Sequence, residues 1–586
     1  MRRRTKTTLT AVIQALLAIG LTAVLAIVFQ SSSAPLPRTL HVLTTNDVHG
    51  HYFDSSYVGN RHNRSLQNIK WYVDSVRTAV GPENVLLIDA GDCLQGDNAS
   101  YYFNYVDTDT PHIYPRMAKY MGYDVITVGN HDIETGHKVY DRLAAQFRKY
   151  RIPWLAGNTI TPSGKPYFRE YCVVRRAGMK ILVLGYTNAN MKSWLGEDVW
   201  SGMDFQSLVP LVGRRVAELR SRVKPDVVIV TVHSGTGEGD GRSLESQGLD
   251  MMKDLPGVDF LICSHDHSQK IVKTDSLCLI NAGSKANYIG HGTLTLTRDG
   301  RKTVGKALDA GLIRVRWDNV DQAMVDEFHP DFVAVKDFTC RKVGELRMPL
   351  LTREAYSGMC DYITLIHTVQ LKATGAQISF AAPLTYDGRV PAGTLVFNDM
   401  FTIYPYENQL YTMNLTGQQI KDCLEFSYNN WIGGGDGHVL SISARPDPRT
   451  GAQKWSFKGR TYNFDSAAGI NYSVDVNAPF GSRVRIESLA DGTPFSLDRT
   501  YSVALTSYRA NGGGDILVRG AGIPKDRLDS LITGRYPEIR DLIYTFIQEN
   551  NVLDHSLLDN PQLIGNWSFQ PAEAREQIAR DLKLVF

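Results

Sequence analysis

Short apolar runs rich in β-branched residues punctuate the chain between about residues 38 and 300. They fall at 40–45, 85–89, 125–128, 181–184, 227–232 and 260–263. Each is apolar on both alternating faces, as expected of strands covered on both sides. Amphipathic stretches lie between several of them, such as Leu211 to Val223, just after Pro210. Strands alternating with helices predict an α/β domain over 38–315. At 316–345 the pattern becomes mixed charged and apolar without clear strands, which predicts a partly helical linker. Beyond it, helical patterns near 352–374 and 415–428 and β-like segments at 395–397, 409–415 and 502–505 predict a smaller α+β domain, 346–567. The stretch 429–436 reads as a loop, and the charged tail 568–586 as a surface helix.

Composition adds an address. The chain has 586 residues, enough for two or three domains. Arg2, Arg3, Arg4 and Lys6 precede an apolar run from Leu9 to Phe29, followed by Ser31, Ser32, Ser33 and Ala34. A basic start, an apolar stretch and small residues describe a signal peptide over 1–34. The run is also long enough to span a bilayer, so an N-terminal membrane anchor is the alternative, and the small residues favour cleavage. Either way the body lies outside the cytoplasm, in the periplasm or at the cell surface. A formal charge of +2 gives no basic excess, which argues against a nucleic-acid polymer as partner. Seven scattered cysteines without a Cys-x-x-Cys pair exclude zinc-ribbon and dithiol redox chemistry. Most suit small core positions, and one disulfide stays open in an oxidising compartment.

The chemistry sits where the strands end. Asn46-Asp47-Val48-His49-Gly50 follows the first, Gly91-Asp92 the second and Gly129-Asn130-His131-Asp132 the third. His233-Ser234-Gly235 and Ser264-His265-Asp266-His267 close two later ones. In open α/β sheets ligands bind at the carboxyl ends of strands, so the clusters converge on one edge. Imidazole and carboxylate ligands suit zinc, manganese or iron, and a carboxylate such as Asp92 can bridge two cations. One Asp-x-His is mostly chance; five such clusters at strand ends are not.

In this order the motifs resemble those of the calcineurin-like metallophosphoesterases. The resemblance implies a four-layer domain, a β-sandwich flanked by helices, and two divalent metal ions. It assigns Asp47, His49, Asp92 and His267 to one metal, and Asp92, Asn130, His233 and His265 to the other. Two such ions clamp phosphoryl oxygens and activate a water for in-line attack. His131 resembles the non-ligand histidine that neutralises the transition state or protonates the leaving oxygen. Glu134 stands where nucleotidase relatives carry Asp or Asn, and is expected to orient it.

The resemblance extends over roughly 38–567, to the secreted 5′-nucleotidases and their C-terminal domain. Gln95-Gly96, Asn158 and the segment from Asn414 to Leu424 carry it. Tyr404-Pro-Tyr406 and Tyr508-Arg-Ala-Asn-Gly-Gly-Gly514 resemble loops in which two rings sandwich the base. Tyr406, Tyr508, Asn511, Gly512, Gly513 and Arg389 are therefore expected to bind a nucleotide or cyclic nucleotide. Ser379 to Pro383 with Gly388-Arg389, Gly512-Gly-Gly-Asp515 and Phe464 to Asp475 are more similar to the 2′,3′-cyclic-nucleotide 2′-phosphodiesterase/3′-nucleotidase branch. The alternatives are a 5′-nucleotidase/UDP-sugar hydrolase proper, or a surface protein that binds metal and nucleotide without catalysis.

Overall fold

The computed structural model describes residues 36–59, 61–299, 302–435, 437–447 and 451–586. The expected signal or anchor, 1–34, lies outside them. Among the described residues no helix is long and apolar enough to cross a membrane.

Two six-stranded sheets form the centre of the first domain. One runs, edge to edge, Lys302–Arg314, Tyr288–Asp299, Leu36–Thr45, Val85–Asp89, Val125–Thr127 and Trp154–Leu155. The other runs Gln269–Lys273, Cys278–Ala282, Phe260–Cys263, Val227–Val232, Met179–Tyr186 and Tyr171–Arg176. The central strands are parallel, which requires crossover connections and hence helices on the outer faces. Alternation along each strand divides its residues between two cores. Leu40, Val42, Ile181, Val183, Val227 and Ile262 meet between the sheets. Leu43 and Leu87 turn to helices such as Leu66–Val80, and Leu182 and Leu184 turn to helix Leu208–Val223. Each of these fully buried aliphatic side chains stabilises the fold by about 1.5–3 kcal/mol. The result is the expected four-layer sandwich.

The segment expected as a partly helical linker is packed against both domains. Helix Gln322–Thr339 inserts Met324, Phe328 and Val335 into the first domain's core, and Arg116 pairs its Asp331 through two bonds of 2.6 and 3.0 Å. Strand Lys342–Leu346 pairs with Gly393–Val396 and Val552–Leu553 of the second domain. The sequence blurs here because charged residues cover the helix's outer face.

The second domain is built on a five-stranded sheet, with Thr500–Thr506 between Ile378–Ala381 and Gln409–Thr416. Helix Asp361–Thr374 ends at Gly375, whose φ of 66° is left-handed. Helix Gly417–Trp431 starts at a capping box between Thr416 and Gln419. One reading needs correcting. Within the expected 429–436 loop, Asn429 to Trp431 complete that helix, and Ile432–Gly435 pairs with His438–Leu440. The charged tail carries helix Ala574–Val585, exposed on its outer face, which buries Ile578 on its inner one, and Asp581 accepts the N–H groups of Val439 and Leu440, both at 2.9 Å. All seven cysteines are unpaired and five are buried.

Candidate active site

Both sheets direct their carboxyl ends to one edge, and polar ties hold the two edges together. Thr127 and Thr231 hydroxyls meet at 2.8 Å across the sandwich. Ser264 Oγ and His233 Nδ1 both donate to the Ala90 carbonyl, at 2.9 and 2.8 Å. Asn46 Nδ2 donates to the Cys263 carbonyl.

On this edge the chain turns sharply. Asp47, His49, Asp92, His265 and His267 all have φ between 44° and 73°. Side chains rarely take this left-handed backbone, and such strain concentrates at functional sites. Backbone bonds hold the turns in register: Asp47 N–H to Gly91 O at 3.0 Å and His49 N–H to Asp92 O at 2.9 Å. Asp132 braces them from behind, accepting from the N–H groups of Gly129, Cys93 and Leu94 at 2.8, 3.1 and 3.2 Å. Nothing in the sequence motif marked that role.

The turns gather two sets of donor atoms. One ligand atom each from Asp47, His49 and His267 lies within 4.8 Å of the others, and the same holds for Asp92, His233 and His265. Asp92 belongs to the second set, and its charge also acts on Asp47 and His49 of the first. Its Oδ2 lies 2.9 Å from His233 Nε2, and its Oδ1 accepts the His131 N–H at 2.8 Å. Asn130 Oδ1 lies 3.0 Å from His233 Nε2 and 2.8 Å from His265 Nδ1.

This donor set fits cations. His49 Nδ1 donates to the Gln95 carbonyl at 3.1 Å and His233 Nδ1 to that of Ala90, so both Nε2 lone pairs turn inward. His49 Nε2 faces His267 Nε2 at 2.9 Å, a spacing at which two neutral rings must share a proton or a cation. Asp47 and Asp92 are both buried, and burial raises the Asp47 pKa, with Asp92 adding to the shift. For Asp92 burial also opposes ionisation, but His233 and His131 outweigh it and hold the carboxylate low. Buried charges of one sign call for nearby positive charge.

His131 stands beside these sets. Its Nδ1 meets Glu134 Oε2 at 2.5 Å. Burial disfavours the imidazolium, yet Asp92 and Glu134 override it and push the pKa up to about 10. Trp194 stacks on His265 with ring centroids 5.1 Å apart, a contact the sequence did not announce.

A cavity of about 600 Å³ opens between the two domains over this edge. Asn130, His131, Glu134, His265 and His267 line one wall. Tyr406 and Tyr508 line the other, together with Tyr462 and Arg460, which sequence reading missed. Tyr462 meets Tyr406 edge-on with centroids 6.4 Å apart. Four expected contacts lie elsewhere. Arg389 is exposed on a short strand paired with Leu351, and the cavity lining does not include it. Asn511, Gly512 and Gly513 follow Tyr508 beyond the short helix Ser507–Ala510 and are not among the residues lining the cavity. Gly513 is where backbone meets ring: a Cβ there would lie 2.4 Å from Tyr508 Cε2. Gly513→Ala should displace that ring and raise KM for nucleotides, read beside a base-free ester as control; equal KM values would show that the ring position is immaterial.

Comparison with known proteins follows this division. Residues 40–269 match the calcineurin-like phosphoesterase family, and 342–519 match the 5′-nucleotidase C-terminal domain. The chain is 23% identical over 552 residues to the 2′,3′-cyclic-nucleotide 2′-phosphodiesterase/3′-nucleotidase of Salmonella typhimurium, covering 81% of each chain. It is 23% identical over 619 residues to the trifunctional nucleotide phosphoesterase protein YfkN of Bacillus subtilis, matching 92% of this chain but spanning only 39% of that protein. The solved 5′-nucleotidase precursor of Thermus thermophilus superposes with a TM-score of 0.60 at 19% identity, covering 91% of this chain and 99% of that one.

Proposed function

Because the chain belongs to the calcineurin-like phosphoesterases that carry a 5′-nucleotidase C-terminal domain, we propose that it hydrolyses nucleotide phosphate esters outside the cytoplasm. The observation that carries this reading is the shared cavity, with metal-type donors on one wall and tyrosines on the other. The gap between them suits a nucleotide whose phosphate and base are read by different domains.

In this reading Asp47, His49 and His267 hold one divalent cation, His233, His265 and Asn130 hold the other, and Asp92 serves both. When bound, such a pair polarises phosphoryl oxygens and lowers the pKa of a coordinated water. The protein's own contribution is orientation and a proton. Glu134 fixes the ring of His131 through Nδ1, which leaves its Nε2–H to protonate the departing oxygen. Tyr406 and Tyr508 stack the base and bring the ester to the metal edge.

The ester position follows the second domain. The Salmonella relative is named for 2′,3′-cyclic and 3′ esters, and those are the substrates favoured here. Metal-loaded protein should convert 2′,3′-cyclic AMP and 3′-AMP faster than 5′-AMP when products are measured side by side. Faster 5′-AMP hydrolysis would assign the 5′-nucleotidase alternative. No turnover of any ester, base-free aryl phosphate included, would leave only the binding protein without catalysis.

Stacking is worth roughly 1–3 kcal/mol per base. Tyr406→Ala and Tyr508→Ala should therefore each lower nucleotide kcat/KM about ten- to a hundredfold, because about 1.4 kcal/mol is a factor of ten. A base-free aryl phosphate should lose far less. Equal losses on both substrates would make these rings fold supports.

A further inference from the structure

Among the described residues that line the cavity, one buried side chain keeps a polar atom without a partner. Gln370 sits on helix Asp361–Thr374, is fully buried and lines the cavity. Its amide is held at one end only. Oε1 accepts from Ser379 Oγ at 2.6 Å, while Nε2 has no hydrogen-bond partner. Buried amide donors are rarely left unpaired, and those that are call for an explanation.

One arrangement of the network behind Gln370 holds the amide oxygen and leaves its N–H groups free. Ser379 Oγ lies 3.0 Å from His367 Nδ1, and His367 Nε2 lies 3.3 Å from Ser466 Oγ. Burial pushes the His367 pKa down to about 3, so the ring is neutral and carries one proton. With that proton on Nδ1, His367 donates to Ser379 and Ser379 donates to Gln370 Oε1. The amide oxygen is then taken and the N–H groups remain. The surroundings indicate what they meet. Ile366, Ala381, Ala382 and Leu384 line the cavity beside Gln370, on the wall that also carries Tyr406 and Tyr508. The metal-type donors lie on the other domain. Arg460 and Arg509 also line this wall, but apolar neighbours around a neutral amide donor suit the edge of a flat heterocycle better than a phosphate.

We propose that Gln370 is a specificity-determining residue whose Nε2 donates a hydrogen bond to an acceptor on the nucleobase edge, a carbonyl oxygen or ring nitrogen. This deepens the nucleotide reading and rests on it. The stacked rings would take any base; Gln370 would grade them by the acceptor each presents.

The test is calorimetric binding of adenosine, inosine, uridine and cytidine to the full-length protein, with nucleotide kinetics alongside. Gln370→Glu keeps an acceptor for Ser379 and removes the donor. Gln370→Met removes both at similar volume. Both variants should bind nucleosides about ten- to a hundredfold more weakly, because the base acceptor loses its partner. Nucleotide KM should rise in step while kcat changes little, and the loss should differ between bases. Nucleoside affinity equal to wild type in either variant would overturn the assignment, as would one uniform loss for all four bases. Should neither variant fold, wild-type protein decides: benzimidazole riboside, with fewer edge acceptors, should bind more weakly than adenosine, and equal binding overturns the proposal. Wild-type protein that binds nucleosides but cleaves no nucleotide would sink the phosphoesterase reading and leave this one standing.

Discussion

Asp92→Asn leaves the protein folded, lowers its metal content and removes nearly all turnover. Folding survives because Asn tolerates the left-handed backbone, here a φ of 61°, almost as well as Asp. The Gly129 and Leu94 contacts to Asp132, which brace this loop, do not involve the side chain of residue 92. Charge is what changes. Asp92 belongs to the His233–His265 donor set, its charge also acts on Asp47 and His49 of the other, and it is 1% exposed, so water cannot replace its negative charge. An amide nitrogen placed at the Oδ1 position would also face the His131 N–H, donor against donor. A bound cation supplies several kcal/mol of transition-state stabilisation, and each 1.4 kcal/mol is a factor of ten. The expected fall in kcat/KM is at least on the order of a thousandfold, with fewer than two metals per chain by elemental analysis. A variant that keeps two metals and most of its activity would overturn the assignment of this site.

The α/β plan of the first domain was legible because its strands are covered on both faces, and residues such as Leu40, Leu43, Leu182 and Ile262 mark that plainly. The metal-type residues were legible for a related reason. Parallel strands leave their carboxyl ends on one edge, so short polar clusters after apolar runs identify the edge in one dimension. Convergence itself was not legible. That His49 meets His267 across 218 positions, or that Trp194 stacks on His265, depends on how the sheets face each other.

The wall that carries Tyr406 and Tyr508 was read less well, and the reason is local. Arg389 lies on a strand paired with Leu351, and Asn511 and Gly512 follow the short helix Ser507–Ala510, so motif order alone did not place them on the cavity wall. Gly513 matters through the space it leaves for the Tyr508 ring, which no side-chain pattern records. Arg460 and Tyr462 come from a short helical turn after a hairpin, a segment without periodicity. A fainter mark was present in helix Asp361–Thr374, where His367 and Gln370 interrupt an otherwise apolar face at a spacing of three. That spacing puts both on one side of the helix, and a buried polar pair there signals a network.

His131→Ala should separate catalysis from metal binding. Residue 131 is tied to the donor set by its backbone N–H, which Asp92 Oδ1 accepts at 2.8 Å, and alanine keeps that bond. Its imidazole bonds to Glu134, which belongs to neither donor set. Metal content should therefore stay at the wild-type level while kcat falls by roughly the 10²–10⁴ typical of a general acid. An ester whose leaving group departs without a proton, such as p-nitrophenyl phosphate, should lose much less than a nucleotide, because nothing needs protonating. Glu134→Gln should fall between wild type and His131→Ala: glutamine can still hold Nδ1 but adds no negative charge to favour the protonated ring. The decisive contrast is metal analysis beside kinetics on the two leaving groups. Loss of metal would make His131 a ligand. Equal losses for both leaving groups would mean that the imidazole stabilises charge on phosphorus and does not deliver the proton, and the departing oxygen would then take its proton from elsewhere in the cavity.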